Sequence, residues 1–326
     1  MPDAHHGYGM PTGGGLDTDN TVTPYAVGVD IGCRMALPVL DLPAKYLTLR
    51  TQELGKLLPV DTRFGSGRVW EQGQRLDYAV LADNALRVVP FLKNKLDRAA
   101  EKLVTSGLGN HLVEFGTVEI TDPANDSGLS AGQYVGLLSH SGSRGLGISI
   151  ANHSTTLAMG QCMLPIEAKP LAWLGLDTEV GQEYWAAMNL AGYYASACYD
   201  RIHRRLAKVL GTKPLVNVEN HHNFAWREQL ANSCVAVVHR KGATPAGAGV
   251  LGIIPGSMTA PGFIMRGRDA AALLAPSSHG AGRFMLRTRA KAELGEAEVR
   301  QHPAAHGVIL HGGGLDKVPM ACKNIH

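Results

Sequence analysis

The sequence offers no pairing pattern for disulfide bonds. Its cysteines are odd in number and widely separated, at Cys33, Cys162, Cys198, Cys234 and Cys322. This spacing argues against a secreted disulfide scaffold and predicts a reducing compartment, so we expect a cytoplasmic protein. No stretch approaches the roughly 20 apolar residues that a membrane span needs, and the first residues carry no signal-peptide pattern. We therefore expect no membrane association.

Charge of either sign is also sparse. Asp, Glu, Lys and Arg make up 18% of the 326 residues, and the net charge is only +3. A basic nucleic-acid binder usually shows more positive charge or evident basic runs, so charge alone permits such a partner without requiring one. The composition is that of a globular protein large enough for a buried core, apart from its 39 glycines.

Glycine recurs beside residues that can bind metals or act as nucleophiles. Because glycine destabilises regular elements, it is typically kept where the backbone turns tightly or approaches a ligand. Five separated segments show this pattern: GVDIGC (28–33), GNHLVE (109–114), SHSGSRG (139–145), NHHN (220–223) and SSHGAGR (277–283). Together they could furnish one site with these candidates: Asp30, Cys33, His111, His140, His222 and His279. The glycine-rich opening, MPDAHHGYGMPTGGG, reads as a further site loop.

The apolar patterns predict a mixed α/β (α+β) fold, with central β-sheets flanked by helices. Predicted helices span Tyr78–Val104, Ile148–Met159 and Gln182–Val209, and predicted strands span Tyr25–Ile31, His111–Ile120, Tyr134–Ser139, Cys234–His239, Val250–Ile254 and Phe263–Arg266. The strand at Tyr25–Ile31 would deliver Asp30 and Cys33 at its end. No βαβ rhythm, internal repeat or linker divides the chain, so we expect one compact domain over residues 1–326.

Several chemical assignments stay open on these residues alone. A thiolate with imidazoles suits zinc, manganese or iron, and an added carboxylate favours catalytic use over a closed structural site. Glu114 could orient the His111 ring as a carboxylate behind the ligand, although each histidine taken singly could equally be a half-buried residue bonded to backbone. His222 is preferred over His221, since adjacent side chains of an extended segment face opposite ways.

The polar loops suggest phosphate chemistry. The hydroxyls, amides and guanidinium of Ser141–Gly145 suit an anion, and the turn Pro255-Gly256-Ser257-Met258 offers backbone donors to a nucleotide or is merely a turn. His279 could be a metal ligand, a general base or a nucleophile towards phosphorus.

With these segments in view, the chain closely resembles the RtcB family of RNA ligases. The motifs MPDAHHGYG, AVGVDIGC, GLGNHLVE, SHSGSRGLG, NHHNFA, RKGAT, IIPGSM and SSHGAGR follow in the family's order over nearly the whole sequence. The resemblance implies a GTP- and Mn²⁺-dependent ligase of tRNA splicing or RNA repair. Such an enzyme joins RNA ends bearing a 3′-phosphate or 2′,3′-cyclic phosphate to ends bearing a 5′-hydroxyl.

The resemblance also implies roles for individual residues. Cys33 would bridge two Mn²⁺ ions, with Asp30 and His111 on one ion and His140 and His222 on the other. His279 would be the catalytic nucleophile that attacks the α-phosphate of GTP and forms a covalent histidine–guanylate. The implied guanylate contacts are Asn110, His111, Leu112, Val113, Glu114, His222, Asn223, Pro255, Gly256, Ser257, Met258, His279, Gly280, Ala281 and Gly282.

The sequence departs from the family pattern in ways that leave two alternatives open. We expect one RtcB-like catalytic domain without the family's usual amino-terminal segment and carboxyl-terminal tail, and Gly262 stands where relatives carry a nucleotide-binding serine. One alternative is a metal-dependent cyclic phosphodiesterase or phosphoesterase, and the other is an inactive RNA-binding remnant. Expected partners are RNA and GTP, with an archease-type activator as a candidate, and we expect a monomer.

Overall fold

Antiparallel strands and two long helices build the fold. The computed structural model describes residues 3–62, 78–103, 111–230, 234–268, 276–283, 293, 296–312, 319 and 322–323. In this part of the chain the strands are β1 (Gly14–Thr18), β2 (Thr21–Val22), β3 (Arg34–Pro43), β4 (Leu112–Ile120), β5 (Gly132–Ser141), β6 (Leu174–Gly175), β7 (Pro214–His221), β8 (Phe224–Gln229), β9 (Val235–Lys241), β10 (Ala243–Pro245), β11 (Leu251–Ile254), β12 (Phe263–Arg266) and β13 (Pro276–Ser278). The α-helices are α1 (Pro24–Val27), α2 (Tyr46–Leu49), α3 (Thr51–Thr62), α4 (Ala85–Val88), α5 (Leu96–Lys102), α6 (Arg144–Gln161), α7 (Glu179–Val209) and α8 (Glu296–Ala305). This mixture confirms the predicted mixed α/β class.

The largest sheet has the strand order β4-β5-β3-β7, and its strands are antiparallel. Arg34, at the start of β3, lies opposite Ser141 at the end of β5 and opposite His221 at the end of β7. At the start of β4, Leu112 lies opposite His140. Two strand beginnings and two strand ends therefore meet at one edge of the sheet, and each is next to a predicted site residue.

Each face of this sheet packs against a different element. Successive strand residues point to opposite faces, so the apolar residues of β3 pack into two separate cores, one on each face of the sheet. Met35 and Leu37 join Val218 and Ile253 in a small core that faces β11. Leu40 belongs to the main core, which includes buried residues of α6 and α7. The helices and the β11–β12 hairpin thus fix the sheet from both sides.

Helix α7 also supports the loop that precedes β3. Its first turn is capped by the Thr178 hydroxyl, which accepts a hydrogen bond from Gly181 N at 3.1 Å. Further along, Arg34 donates a hydrogen bond to Gly192 O at 3.1 Å. A methyl group on Gly32, whose φ is +68°, would lie 2.7 Å from Gly192 Cα. The loop and the helix therefore meet backbone to backbone.

The predicted strand at Tyr25–Ile31 is wrong. Residues Pro24–Val27 form the short helix α1, in which Pro24 occupies the first turn after an extended Thr23. Proline presets a helical φ and lacks only an N–H that the first turn would leave unused. The helix ends at Gly28, which has a φ of 98°. Asp30 and Cys33 therefore lie before β3, although still at one end of a sheet, as expected.

The predicted helix over Tyr78–Val104 is also wrong. The described part, up to Leu103, contains 3₁₀ turns at Ala79–Ala82 and Pro90–Leu92 and the short helices α4 and α5. Val89 is extended ahead of Pro90, because the proline ring disfavours helical backbone in the preceding residue. The apolar spacing overlooked this break: Leu86, Val89, Leu92 and Leu103 are buried as it predicts, but Leu96 is 40% exposed. The other predicted helices and strands are confirmed with small shifts at their ends.

No helix in the described ranges is both long enough and apolar enough to span a bilayer.

We predict that Gly32→Ala lowers the free energy of unfolding by about 1–3 kcal/mol, because alanine is disfavoured at this positive φ and its methyl group would meet Gly192. Urea unfolding with a chelator present measures this change. The matched control is Gly160→Ala in α6, where an added methyl group has nothing within 4 Å. That control should be neutral or stabilising by up to about 1 kcal/mol, and equal effects of the two substitutions would contradict the packing argument.

Candidate metal and nucleophile site

Five predicted ligands converge at the edge of the four-stranded sheet. They form two groups whose ligand atoms all lie within 4.8 Å of one another: the first triad (Asp30, Cys33 and His111) and the second triad (Cys33, His140 and His222). Cys33 belongs to both triads. The sheet register explains the convergence, since these residues come from the starts of β3 and β4 and the ends of β5 and β7.

The distances within each triad are short. In the first triad, His111 Nε2 lies 2.8 Å from Asp30 Oδ2 and 3.7 Å from Cys33 Sγ. In the second triad, His140 Nε2 lies 3.0 Å from Cys33 Sγ and 3.3 Å from His222 Nε2. Ligand atoms that share one metal ion at 2.0–2.3 Å lie about 3–3.7 Å apart. Both distances of the second triad and the His111–Cys33 distance fall in this range, and the His111–Asp30 distance of 2.8 Å lies just below it.

Burial sets the protonation of the second triad. Burial, assisted by the neighbouring histidines, lowers the pKa of His222 well below its usual value, so this imidazole is neutral and keeps a lone pair. Its Nδ1 is buried and has no hydrogen-bond partner among the described residues. Burial and the nearby Asp30 carboxylate raise the pKa of the Cys33 thiol. A cation would be needed to favour the thiolate here.

The first triad contains the carboxylate. Burial alone would raise the pKa of Asp30, but His111 and the other donors around it outweigh burial and lower this pKa to about 2. Asp30 is therefore ionised at neutral pH. Gly142 is required beside it, because a methyl group on Gly142 would lie only 2.2 Å from Asp30 Oδ1.

Arg144, rather than Glu114, contacts the second nitrogen of His111. Arg144 Nη1 lies 2.8 Å from His111 Nδ1, and Arg144 Nη2 donates a hydrogen bond to Ser141 Oγ at 2.8 Å. Arg144 adopts a positive φ of 59°, which is uncommon outside glycine. Glu114 lies exposed in β4. The proposed orienting role of Glu114 is thus taken by a guanidinium.

Asn223 ties three segments of the site together. Its Nδ2 donates a hydrogen bond to Asp30 O at 3.2 Å, and its Oδ1 accepts one from Gly242 N at 2.7 Å. Its own carbonyl accepts a hydrogen bond from Gly32 N at 2.9 Å. The backbone φ is 59°, a conformation that asparagine tolerates better than most residues. Both amide atoms that the sequence assigned to a nucleotide thus have partners within the protein.

His279 lies next to the second triad and is held by Asp3. Its ring centroid is 5.0 Å from that of His222. Asp3 Oδ2 accepts hydrogen bonds from His279 N at 3.1 Å and from His279 Nδ1 at 2.8 Å. Asp3 Oδ1 accepts a third hydrogen bond, from the Ser278 hydroxyl at 3.0 Å. An ionised carboxylate only accepts hydrogen bonds, so the proton in this contact lies on Nδ1, and Nε2 is the ring nitrogen that Asp3 does not hold.

The Asp3 carboxyl is ionised at neutral pH in this setting. Burial raises its pKa, but the hydrogen bonds and charge of His279 and the hydroxyl of Ser278 outweigh burial and hold the pKa below its usual value. Sequence reasoning missed this residue, although it had identified the surrounding MPD segment as a site loop. The available signal was a carboxylate inside that glycine-rich opening.

The predicted nucleotide turn lies beside the nucleophile loop. Ala281 N donates a hydrogen bond to Pro255 O at 3.1 Å. The preceding strand is fixed by Asn220, whose Oδ1 accepts a hydrogen bond from Ile253 N at 2.8 Å. Leu112 and Val113 follow His111 in β4, and Asn110 lies outside the described residues. Nucleotide contact by these residues stays a prediction.

The whole chain is similar in sequence to known RNA-splicing ligases. The family described as tRNA-splicing ligase RtcB matches residues 1–89 and 84–326. The RNA-splicing ligase RtcB of Escherichia coli (strain K12) is 32% identical over 354 residues, which cover 100% of this chain and 83% of the relative. The RNA-splicing ligase RtcB of Mycobacterium bovis is 29% identical over 397 residues, covering 100% and 90%. The tRNA-splicing ligase RtcB of Thermococcus kodakarensis is 28% identical over 395 residues, covering 100% and 81%.

We predict that Asn223→Ala destabilises the fold by about 1–3 kcal/mol, because two internal hydrogen-bonding groups lose their partner and alanine tolerates the positive φ less well. Urea unfolding measures the change. Asn223→Asp should lose less stability, since it keeps the acceptor for Gly242 N, and Asn217→Ala, at an exposed position of β7, should change little. Equal stability of Asn223→Ala and wild type would contradict the clamping role.

Proposed function

Because the chain belongs to the RtcB family of tRNA-splicing ligases, we propose that it seals RNA with GTP and two Mn²⁺ ions. It would join a 3′-phosphate or 2′,3′-cyclic phosphate end to a 5′-hydroxyl end through a covalent guanylate on His279. One observation carries this proposal: a histidine whose Nδ1 is held by a carboxylate lies beside the second of two ligand triads that share a thiol.

The donor set supports two metal ions at the two triads. Asp30, Cys33 and His111 would hold one ion, and Cys33, His140 and His222 the other. Two His Nε2 atoms 3.3 Å apart, one of them on a ring that burial keeps neutral, suit a shared cation. The donor types alone also fit zinc or iron, and manganese follows from the family resemblance. Two such ions neutralise phosphate charge and align attacking and leaving oxygens.

The first chemical step would occur at His279 Nε2. Its lone pair attacks the α-phosphorus of GTP, a nitrogen–phosphorus bond forms, and the bond from that phosphorus to the bridging oxygen breaks as pyrophosphate leaves. Asp3 keeps the proton on Nδ1 and stabilises the positive charge that develops on the ring, as a carboxylate does behind a catalytic histidine. The Ser278 hydroxyl and His279 N–H hold that carboxylate in place.

The guanylate would then activate the RNA end. An oxygen of the RNA 3′-phosphate attacks the guanylate phosphorus and His279 is released, so that GMP becomes a leaving group on the RNA. The 5′-hydroxyl oxygen displaces GMP, loses its proton and completes the phosphodiester bond. Arg144, at the start of α6 beside the first triad, would supply a cation to these phosphates.

We predict that the wild-type protein becomes covalently labelled by GTP carrying radioactive α-phosphate in the presence of Mn²⁺, and that His279→Ala does not. Denaturing electrophoresis detects the label. The control is His153→Ala, because His153 stacks on Phe91 away from both triads and should not affect labelling.

Other outcomes of this experiment would identify the alternatives. An unlabelled wild-type protein would contradict the proposal. Hydrolysis of cyclic phosphate without labelling would indicate a phosphoesterase, and RNA binding without either reaction would indicate a non-catalytic RNA-binding protein.

We predict that Asp3→Asn slows self-guanylylation by on the order of 10³-fold or more. An asparagine N–H would favour the tautomer that carries the proton on Nε2, which removes the attacking lone pair. Single-turnover labelling measures the rate. Mn²⁺ content should be unchanged, since Asp3 is in neither triad, and Ser278→Ala should have a smaller effect. A normal rate for Asp3→Asn would refute the orienting role.

A further inference from the structure

A tightly built hairpin carries the residue that holds His279. This amino-terminal hairpin spans residues 3–14 and is closed by two backbone hydrogen bonds between His5 and Thr12, of 3.1 and 3.0 Å. Asp3 begins it, and Tyr8 lies at its tip between Gly7 and Gly9. The Tyr8 side chain is 71% exposed. The hairpin therefore presents an aromatic ring to solvent from the same segment that orients the nucleophile.

The tip of the hairpin is fixed by an unusual partner. Lys241, only 8% exposed, donates hydrogen bonds from Nζ to the carbonyl of Tyr8 and, at 3.0 Å, to Met10 O. Burial lowers the pKa of this ammonium to about 8, and within the described residues no carboxylate pairs with it. Burying an ammonium without a counter-charge is costly. Here the buried ammonium holds the backbone of the exposed Tyr8 rather than part of the core.

The base of the hairpin, at Asp3 and Thr12, lies beside the reacting histidine. Gly242, directly after Lys241, leaves space for the ring, because a methyl group there would lie 3.0 Å from His279 Cε1 and 2.3 Å from Thr12 Cγ2. The Tyr8 ring lies 6.3 Å from the ring of Tyr25, whose hydroxyl donates to Asn152 at 3.3 Å. Tyr8 thus contacts Lys241 through its carbonyl and α1 through the Tyr25 ring. The turn Pro255–Met258 instead accepts a hydrogen bond from Ala281 N.

We propose that Tyr8 is a stacking platform for an unpaired base of the RNA strand whose end enters the site. This inference rests on the proposed function, and it adds a contact that neither the triads nor the nucleotide turn supplies. An exposed aromatic ring with a restrained backbone can stack on any base, since every base has a flat π face. Little backbone entropy remains to be lost on binding, because Lys241 already holds the Tyr8 carbonyl.

The attachment of Tyr8 favours an RNA base over the guanine of GTP. Eight of the fifteen residues that the resemblance assigns to the guanylate lie in the turn Pro255–Met258 and the loop His279–Gly282, which hydrogen-bond to each other through Ala281 N and Pro255 O. Tyr8 is held from another side, by Lys241 at its carbonyl and by Tyr25 beside its ring. A strand that reaches His279 from this side would pass over its ring.

The test measures RNA binding separately from chemistry. A fluorescent single-stranded 10-nucleotide RNA with a 3′-phosphate is titrated with the full chain in Mn²⁺ without GTP, and anisotropy gives the dissociation constant. We expect Tyr8→Ala to weaken binding by about 5- to 100-fold and Tyr8→Phe to bind like wild type. The matched control is Tyr193→Ala on α7, where an equally large ring is 62% exposed, and it should have no effect.

A second set of measurements distinguishes stacking on an RNA base from stacking on the guanine of GTP. Self-labelling by GTP should have the same KM and rate in Tyr8→Ala as in wild type, and a raised KM for GTP would overturn the assignment to RNA. RNAs with one abasic position near the end should lose affinity for wild type at one position and lose nothing further in Tyr8→Ala. Unchanged RNA affinity in Tyr8→Ala would also overturn the proposal.

Failure of the proposed function gives a different pattern. If the wild-type protein binds RNA but is never labelled, the ligase assignment fails while the anisotropy comparison still decides the role of Tyr8.

Discussion

The site depends on one backbone hydrogen bond, from His222 N to Cys33 O at 2.8 Å. It continues the pairing of β3 with β7 one residue beyond the sheet, so that the thiol and the imidazole leave neighbouring strands on the same side. The pairing of β3 with β5 brings His140 to the other flank of Cys33. A shift of one residue in either register would turn these side chains to the opposite face. Strand pairing therefore determines where the shared thiol lies relative to His140 and His222, and the loops adjust that position only slightly.

His279, the proposed nucleophile, is held separately from the triads. Asp3 reaches His279 from the amino-terminal hairpin and belongs to neither triad. The ligands can thus be arranged by the sheet while the tautomer of His279 is set by the hairpin. This separation suits a reaction in which charge neutralisation and nucleophilic attack place different demands on their residues. Asn223 links the two parts, since it bonds both the Asp30 loop and Gly242, which packs on the His279 ring.

Much of the site could be predicted because its residue types are chemically unusual in glycine-rich sequence. Asp30, Cys33, His111, His140 and His222 were each identified, and the sheet register brings them together. The local geometry was harder: Pro24 converts an apolar, strand-like run into a helix start, and Pro90 breaks a regular helical spacing. Asp3 and Arg144 could not be assigned to His279 and His111, because nothing in local sequence encodes a contact between distant segments. Only tertiary structure determines such pairs.

The contact between Asp3 and His279 joins residues 276 positions apart. Contacts of such sequence separation form late, because a long loop must close before they stabilise anything. During synthesis on the ribosome, a chain that has emerged only as far as β7 and β8 already contains every residue of both triads. It contains no His279, and its Asp3 has no histidine to orient. The order of translation alone thus keeps Asp3 and His279 apart until residue 279 has been synthesised.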